Sequence, residues 1–215
     1  MVSAPVIVIG AGGHARVVVD ALLAAGARVL GCTDADPARH GGDAAGVPVL
    51  GDDTVLARHS PADVQLAVGI GGVRGESLRR RIHERLKAAG WTLATVRHPS
   101  AIVSPSAWLG EGVQVMAGAI VQPGARIGDG AIVNTAAVIE HDCDVGAFVH
   151  VAPRALLCGD VRIGAGSHVG AGAVVRQAVT IGEGVVIAAG AVVVRDFSGT
   201  GTLAGVPALA RDRTQ

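Results

Sequence analysis

Residues 101–196, written in sixes, read AIVSPS, AWLGEG, VQVMAG, AIVQPG, ARIGDG, AIVNTA, AVIEHD, CDVGAF, VHVAPR, ALLCGD, VRIGAG, SHVGAG, AVVRQA, VTIGEG, VVIAAG, AVVVRD. The sixteen units follow one another without insertion, and the third residue of each is Val, Ile or Leu, from Val103 to Val193. The first residue is small or β-branched throughout and is Ala in nine units, while Gly follows the third residue in six. Neither the period of a helix nor that of a strand produces this pattern alone. A short flat strand followed by a tight corner does. Three such units close a triangular coil of eighteen residues, and coils stack at the inter-strand spacing of about 4.8 Å. The third-position aliphatics then point inward, each over its copy eighteen residues away, and sixteen units give a little over five coils. After Asp196 the repeat stops, and residues 202–208 are expected to cover the open end, where bare backbone would otherwise be exposed.

Composition agrees with a stack of small corners. Half of the 215 residues are apolar, yet there are two Phe, two Trp and no Tyr, and 32 residues are Gly. The core is therefore filled by branched aliphatics rather than rings. Eighteen basic and eighteen acidic residues cancel, which argues against a nucleic-acid binder. Lys87 is the single lysine, so phosphate has to be met by Arg, backbone N–H groups or helix ends. Cys32, Cys143 and Cys158 form neither a metal spacing nor an obvious disulfide set, and this thiol usage points to the reducing cytoplasm. No apolar run reaches the roughly 20 residues that a membrane span requires.

Residues 1–98 have a different rhythm. Val6-Ile7-Val8-Ile9 reads as a buried strand ending in Gly10-Ala11-Gly12-Gly13-His14. A helical pattern over residues 15–25 stops at Gly26. Val29-Leu30-Gly31-Cys32 is a second strand, followed by a polar turn through Asp34 and Asp36. Residues 64–68 form another strand, ending in Gly69-Ile70-Gly71-Gly72, and an Arg-rich amphipathic helix covers residues 75–89. This alternation predicts a Rossmann-like parallel sheet flanked by helices, and a domain boundary between residues 98 and 99.

Stacking sorts exposed residues into columns. The unit AVIEHD puts Glu140-His141-Asp142 at one corner, and one coil later the position above His141 is Gly159. An imidazole beneath a backbone N–H that no side chain obstructs supplies the pair that acyl transfer needs: a proton acceptor and an oxyanion donor. Asp142 or Glu140 is placed to orient the ring. His150 and His168 also stack eighteen apart, but a zinc site needs a third ligand at a spacing that is not found, so no metal is expected. Cys143 occupies a buried first position and reads as an inert structural thiol. In the first half, Gly10-x-Gly12-x-x-Ala15 with Asp34 after the second strand matches the dinucleotide fingerprint. It leaves helix N–H groups for an anion, with Gly71 on a second glycine lip and Arg74 available for phosphate.

Three segments together carry a family resemblance: VIVIGAGGHARVVVDAL (6–22), NTAAVIEHDCDVGAFVHVAP (134–153) and LAGVPA (203–208). The chain resembles, over almost its whole length, the bacterial sugar N-acetyltransferases of the sialic-acid O-acetyltransferase-like, hexapeptide-repeat family. The resemblance implies a left-handed β-helix over 99–215, a nucleotide-sugar-binding domain over 1–98, and a homotrimer with acetyl-CoA lying between neighbouring helices. It implies the general base at His141, its acid partner at Asp142 and the oxyanion donor at Gly159. Gly12, Gly13, His14, Asp34 and Asp36 match the nucleotide-sugar pocket. His150 matches a histidine near the acetyl group, and Ala171, Ala189 and Arg195 correspond to CoA contacts. The implied acceptor is a nucleotide-linked 4-amino-4,6-dideoxyhexose, GDP-perosamine first, with UDP- and dTDP-linked sugars or O-acetylation of sialic acid as alternatives. An NAD-dependent oxidoreductase and a non-catalytic scaffold are the rival readings from outside the class.

Overall fold

The computed structural model describes residues 4–71 and 76–211. The chain divides into two compact units, Met1–Pro99 and Ser100–Gln215. No described helix is long and apolar enough to cross a membrane.

In the first unit, β1 (Val6–Ile9), β2 (Val29–Thr33), β3 (Asp43–Ala44), β4 (Val47–Gly51) and β5 (Gln65–Val68) form one sheet in the order β3-β4-β2-β1-β5. β1 pairs in parallel with β2 and β5, β2 in parallel with β4, and only β3–β4 is antiparallel. All four residues of β1 are buried, as expected of a central strand covered on both faces. α1 (Gly13–Ala24) buries Ala15, Val18, Val19 and Leu22, one stripe at helical spacing. It starts two residues before the sequence pattern suggests, because Gly13 and His14 form the first turn with Gly12 as N-cap. α2 covers Glu76–Ala88. The β3–β4 hairpin is absent from the sequence reading. Val47 and Val49 face the core while Pro48 faces outward, and a proline in a short strand hides the usual signal.

The second unit is a left-handed parallel β-helix of three sheets. The first face holds Ile102–Val103, Ile120–Val121, Val138–Ile139, Leu156–Leu157, Val174–Val175 and Val192–Val193. The second runs from Trp108–Leu109 to Thr180–Ile181, and the third includes Gln114–Val115, Ile132–Val133, His150–Val151, His168–Val169 and Val186–Ile187. Within the repeat the strand pairings join residues eighteen apart, as in Val138↔Leu156, Asp144↔Arg162 and His150↔His168. First- and third-position side chains fill the core from Ala101 to Val193. In the tail, Thr202–Ala204 adds in parallel to Val186–Ile187, and Leu209–Arg211 folds back antiparallel onto it. The Ala208 N–H donates to Val192 O at 2.8 Å, so the tail closes the last coil.

Five of the six fourth-position glycines form a single column: Gly110, Gly128, Gly146, Gly164 and Gly182. A Cβ on Gly146 would stand 2.7 Å from the backbone nitrogen of Ala165 in the next coil. Backbone cannot yield as a side chain does. Gly146→Ala is therefore expected to destabilise the solenoid by about 1–3 kcal/mol, the usual cost of overpacking, seen as a lowered thermal midpoint. Sixth positions have a separate requirement, because the chain there adopts left-handed backbone. Glycine meets it at most corners, but Ala136, Asp142, Phe148, Arg154 and Asp160 take φ of 55–61° at five successive corners. Each carries a cost of order 1–2 kcal/mol, and His141 stands beside one of them.

Candidate active site

The strand Val138–Ile139 is followed directly by Glu140, His141 and Asp142 at the corner between the first and second faces. Asp142 turns the chain with φ of 61°, and its N–H donates to Pro123 O in the coil below at 3.0 Å. That conformation brings the carboxylate back to the preceding ring: His141 Nδ1 and Asp142 Oδ2 are 2.9 Å apart. A carboxylate only accepts, so Nδ1 carries the proton and the lone pair of the neutral ring is at Nε2. Glu140 makes no such contact with the ring; the partner is Asp142. The hydrogen bond from His141 to Asp142 raises the pKa of the imidazole above its ordinary value, reinforced by the charges of Asp142, Glu140 and Asp160 and opposed by desolvation.

Above the ring lies Gly159, as the pairings Val138↔Leu156 and Ile139↔Leu157 require. A Cβ on Gly159 would fall 2.6 Å from both Cε1 and Nε2 of His141. The N–H of Gly159 donates to no described residue. The side chains of His141 and Asp142 are 63% and 67% exposed, so the pair is open to a substrate. Such a corner can take a proton at Nε2 and donate one hydrogen bond from main chain to an oxygen developing charge. Cys143 next to it is buried, donates through Sγ to Cys158 O at 3.1 Å, and has its pKa pushed up by burial to about 11. Such a thiol is a poor nucleophile at neutral pH.

Arg195 belongs to the same column, two coils beyond Gly159, and is exposed. Ala171 and Ala189 are exposed at the corner between the third and first faces, so the first face separates them from His141 within one chain. His150 lies on the third face, buried, its ring 4.9 Å from that of His168 in a T-shaped contact and its Nε2 3.0 Å from Asn134 Nδ2. Among the described residues no group of three His, Cys, Asp or Glu side chains is placed to hold a metal ion.

The remaining site residues gather in the first unit. Gly12, Gly13, His14, Asp34, Asp36 and Gly71 line one cleft of about 410 Å³, together with Arg39, Gly69 and Ile70. Arg74 lies outside the described residues. The N-terminus of α1 opens into this cleft with Gly12 as its cap and no acidic residue in the first turn, an arrangement that favours an anion. Asp34 has a structural task that sequence did not disclose: Oδ2 accepts from Ala11 N–H at 2.8 Å and Oδ1 from Asp36 N–H at 3.0 Å. It ties the glycine turn to the loop after β2. Arg39 was missed by sequence reasoning. Asp36 caps the single turn Pro37–Arg39 by accepting from Ala38 N–H, which swings Arg39 back so that Nη1 donates to Ala11 O at 3.1 Å. Its Nε stands 3.6 Å from Asp36 Oδ2. The Asp-Pro pair, a helix-start signal, was the available clue.

The PglD N-terminal domain family matches residues 5–86, and the bacterial transferase hexapeptide (six repeats) family matches residues 106–141 and 160–195. Comparison with curated proteins gives no match. Among solved structures, the acetyltransferase domain of PglB from Neisseria gonorrhoeae FA1090 in complex with acetyl coenzyme A is 43% identical, covering 96% of this chain and 98% of that one, with a TM-score of 0.89. PerB from Caulobacter crescentus in complex with CoA and GDP-perosamine is 43% identical, with 99% of each chain covered and a TM-score of 0.89. A His-to-Asn variant of perosamine N-acetyltransferase from Caulobacter crescentus, also with CoA and GDP-perosamine, is 42% identical over 99% of this chain and 98% of that one, with a TM-score of 0.90. Solenoid, glycine turn and full-length identity agree: the chain is an acyltransferase and belongs to the bacterial nucleotide-sugar N-acetyltransferases of the sialic-acid O-acetyltransferase-like, hexapeptide-repeat family.

Proposed function

We propose that this chain moves the acetyl group of acetyl-CoA to the 4-amino group of a nucleotide-linked 4-amino-4,6-dideoxyhexose, with GDP-perosamine as the leading substrate. The observation that carries this reading is the His141 ring held by Asp142 and seated directly beneath Gly159. The sugar amine attacks the thioester carbonyl carbon while Nε2 of His141 takes its proton. The carbonyl oxygen gains charge, and the Gly159 N–H is the donor that meets it. As the tetrahedral carbon collapses, the C–S bond breaks and the imidazolium returns a proton to the departing CoA sulfur. The raised pKa of Cys143 favours direct attack over an acylated cysteine.

The columns support a place for the rest of CoA. Arg195 is three rungs from His141, about 14 Å at about 4.8 Å per rung, a span suited to a pantetheine arm between thioester and phosphates. His150, Ala171 and Ala189 stand elsewhere on the coil, and a neighbouring chain is what would bring them to His141. The first face supports such an assembly. Its outward side chains are Ile102, Ile120, Val138, Leu156, Val174 and Val192, with Ile102 63% exposed, whereas the second face turns out Arg126, Asp144, Arg162 and Thr180 beyond a single Trp108 in its first strand. An apolar stripe along one side of a solenoid is a surface for self-association, and we read it as the homotrimer contact. The cleft of the first unit takes the nucleotide diphosphate, its anion at the α1 N-terminus. The dinucleotide alternative is disfavoured there, because the Asp34 carboxylate already holds two backbone N–H groups. The three free cysteines fit a reducing cytoplasm.

A thiol-release assay with acetyl-CoA and a panel of GDP-, UDP- and dTDP-linked 4-amino sugars tests the reading. Release with GDP-perosamine, and N-acetylated product by mass spectrometry, are expected. Sugar-nucleotide binding without thiol release from any panel member would overturn it.

A further inference from the structure

The His141–Asp142 pair rests on a second bare position, on the side opposite Gly159. Gly124 lies one coil below Asp142, and a Cβ placed on it would overlap Asp142 Oδ1 and stand 3.4 Å from Cγ. The carboxylate, though largely open to solvent, has Oδ2 on the imidazole and Oδ1 in the space that a Gly124 side chain would fill. Left-handed backbone alone does not explain this glycine. Its φ is 75°, yet the equivalent sixth positions carry Ala136 and Ala178 at φ of 55° and 58°. Alanine is therefore compatible with the corner. At Gly184, which has the same kind of backbone at φ of 64°, an added Cβ would meet nothing within 4 Å, so nothing stacked above that corner needs the space. Below Gly124, its own N–H donates to Ser106 Oγ at 3.3 Å, which holds the corner level.

We propose that Gly124 is a positioning residue, whose missing side chain leaves the space in which the Asp142 carboxylate lies against His141. Its kinetic consequence rests on the reading of His141 as the base; its structural content does not. The charged groups facing the ring are Glu140 and Asp142 on its own corner and Asp160 from the coil above, the last paired with Arg162 at 3.1 Å. Neither Pro123 nor Gly124, from below, carries a charge. Displacing Asp142 leaves Glu140 and Asp160 where they are, so the hydrogen bond is what is lost.

The experiment compares Gly124→Ala with Gly184→Ala, using the NMR titration of the His141 ring and the pH profile of kcat/KM on the full chain. Both variants bear the cost of left-handed alanine, of order 1–2 kcal/mol, and should lose similar stability. Only Gly124→Ala should move the imidazole titration to lower pH, toward the ordinary value of about 6.5, with the acid limb of kcat/KM following it. Asp142→Asn sets the direction of a lost partner. If the alanine variant is too unstable, Gly124→Asn places the same Cβ on a residue that tolerates this backbone. An unchanged His141 titration in a folded Gly124 variant overturns the proposal. A shifted titration with an unmoved kinetic limb leaves the positioning role intact and removes His141 as the base.

Discussion

Replacing His141 by Asn is expected to lower turnover by roughly 10²–10⁴, the range over which a positioned general base contributes, while the solenoid keeps its stability. The side chain is 63% exposed and buries nothing in the core, so removing it opens no cavity. Asparagine keeps a polar group of similar reach at the corner but has no site that takes a proton at neutral pH. The rate should change its pH dependence as well as its size. On the proposed mechanism the imidazole works only when neutral, and the hydrogen bond to Asp142 raises its pKa. Activity is therefore expected to increase as pH rises through an imidazole pKa raised from its ordinary value, and to fall off below it. In His141→Asn that acid limb should disappear, leaving a low, flat rate. Steady-state kinetics across pH check both features, and full activity in the variant would remove His141 from the mechanism.

Gly159→Ala should be nearly as damaging by a different route. Gly159 does not adopt left-handed backbone, so alanine meets no conformational penalty there; its Cβ would instead fall 2.6 Å from Nε2 and Cε1 of His141. The exposed ring is free to swing away, which keeps the fold intact and takes the proposed base from its place. The methyl group also stands beside the main-chain donor. Loss of about 10²–10³ in turnover, the scale of a disabled oxyanion donor, is expected with an almost unchanged thermal midpoint. Little change in activity would mean that substrate does not approach between these two rungs.

The part of this molecule that could be read directly from its sequence is the part that repeats. A third-position aliphatic in every unit, with a small or β-branched first position, points to an eighteen-residue coil, and columns eighteen residues apart then place Gly159 over His141. What stayed hidden depends on contacts that occur once. Asp142 reaches His141 only because its own φ is 61°, a conformation that no sequence period encodes and that alanine, phenylalanine and arginine share at neighbouring corners. Gly124 reads as one more corner glycine until the carboxylate above it is seen. Arg39 returns to the glycine turn through a single capped turn, and the β3–β4 hairpin is too short, with Pro48 in it, to carry an alternating signal. The boundary between legible and illegible follows that between periodic packing and individual side-chain geometry.

The pairing of each coil only with the next has a consequence for where motion can occur. Such a stack melts from its ends inward, since a terminal coil loses one neighbour and an inner coil two. His141 has Pro123 and Pro105 on one side of its column, and Gly159, Gln177 and Arg195 on the other. Fraying from either end must strip whole coils before it loosens the imidazole, and the hairpin of the tail guards the longer side. The His141 corner thus sits where thermal opening arrives last.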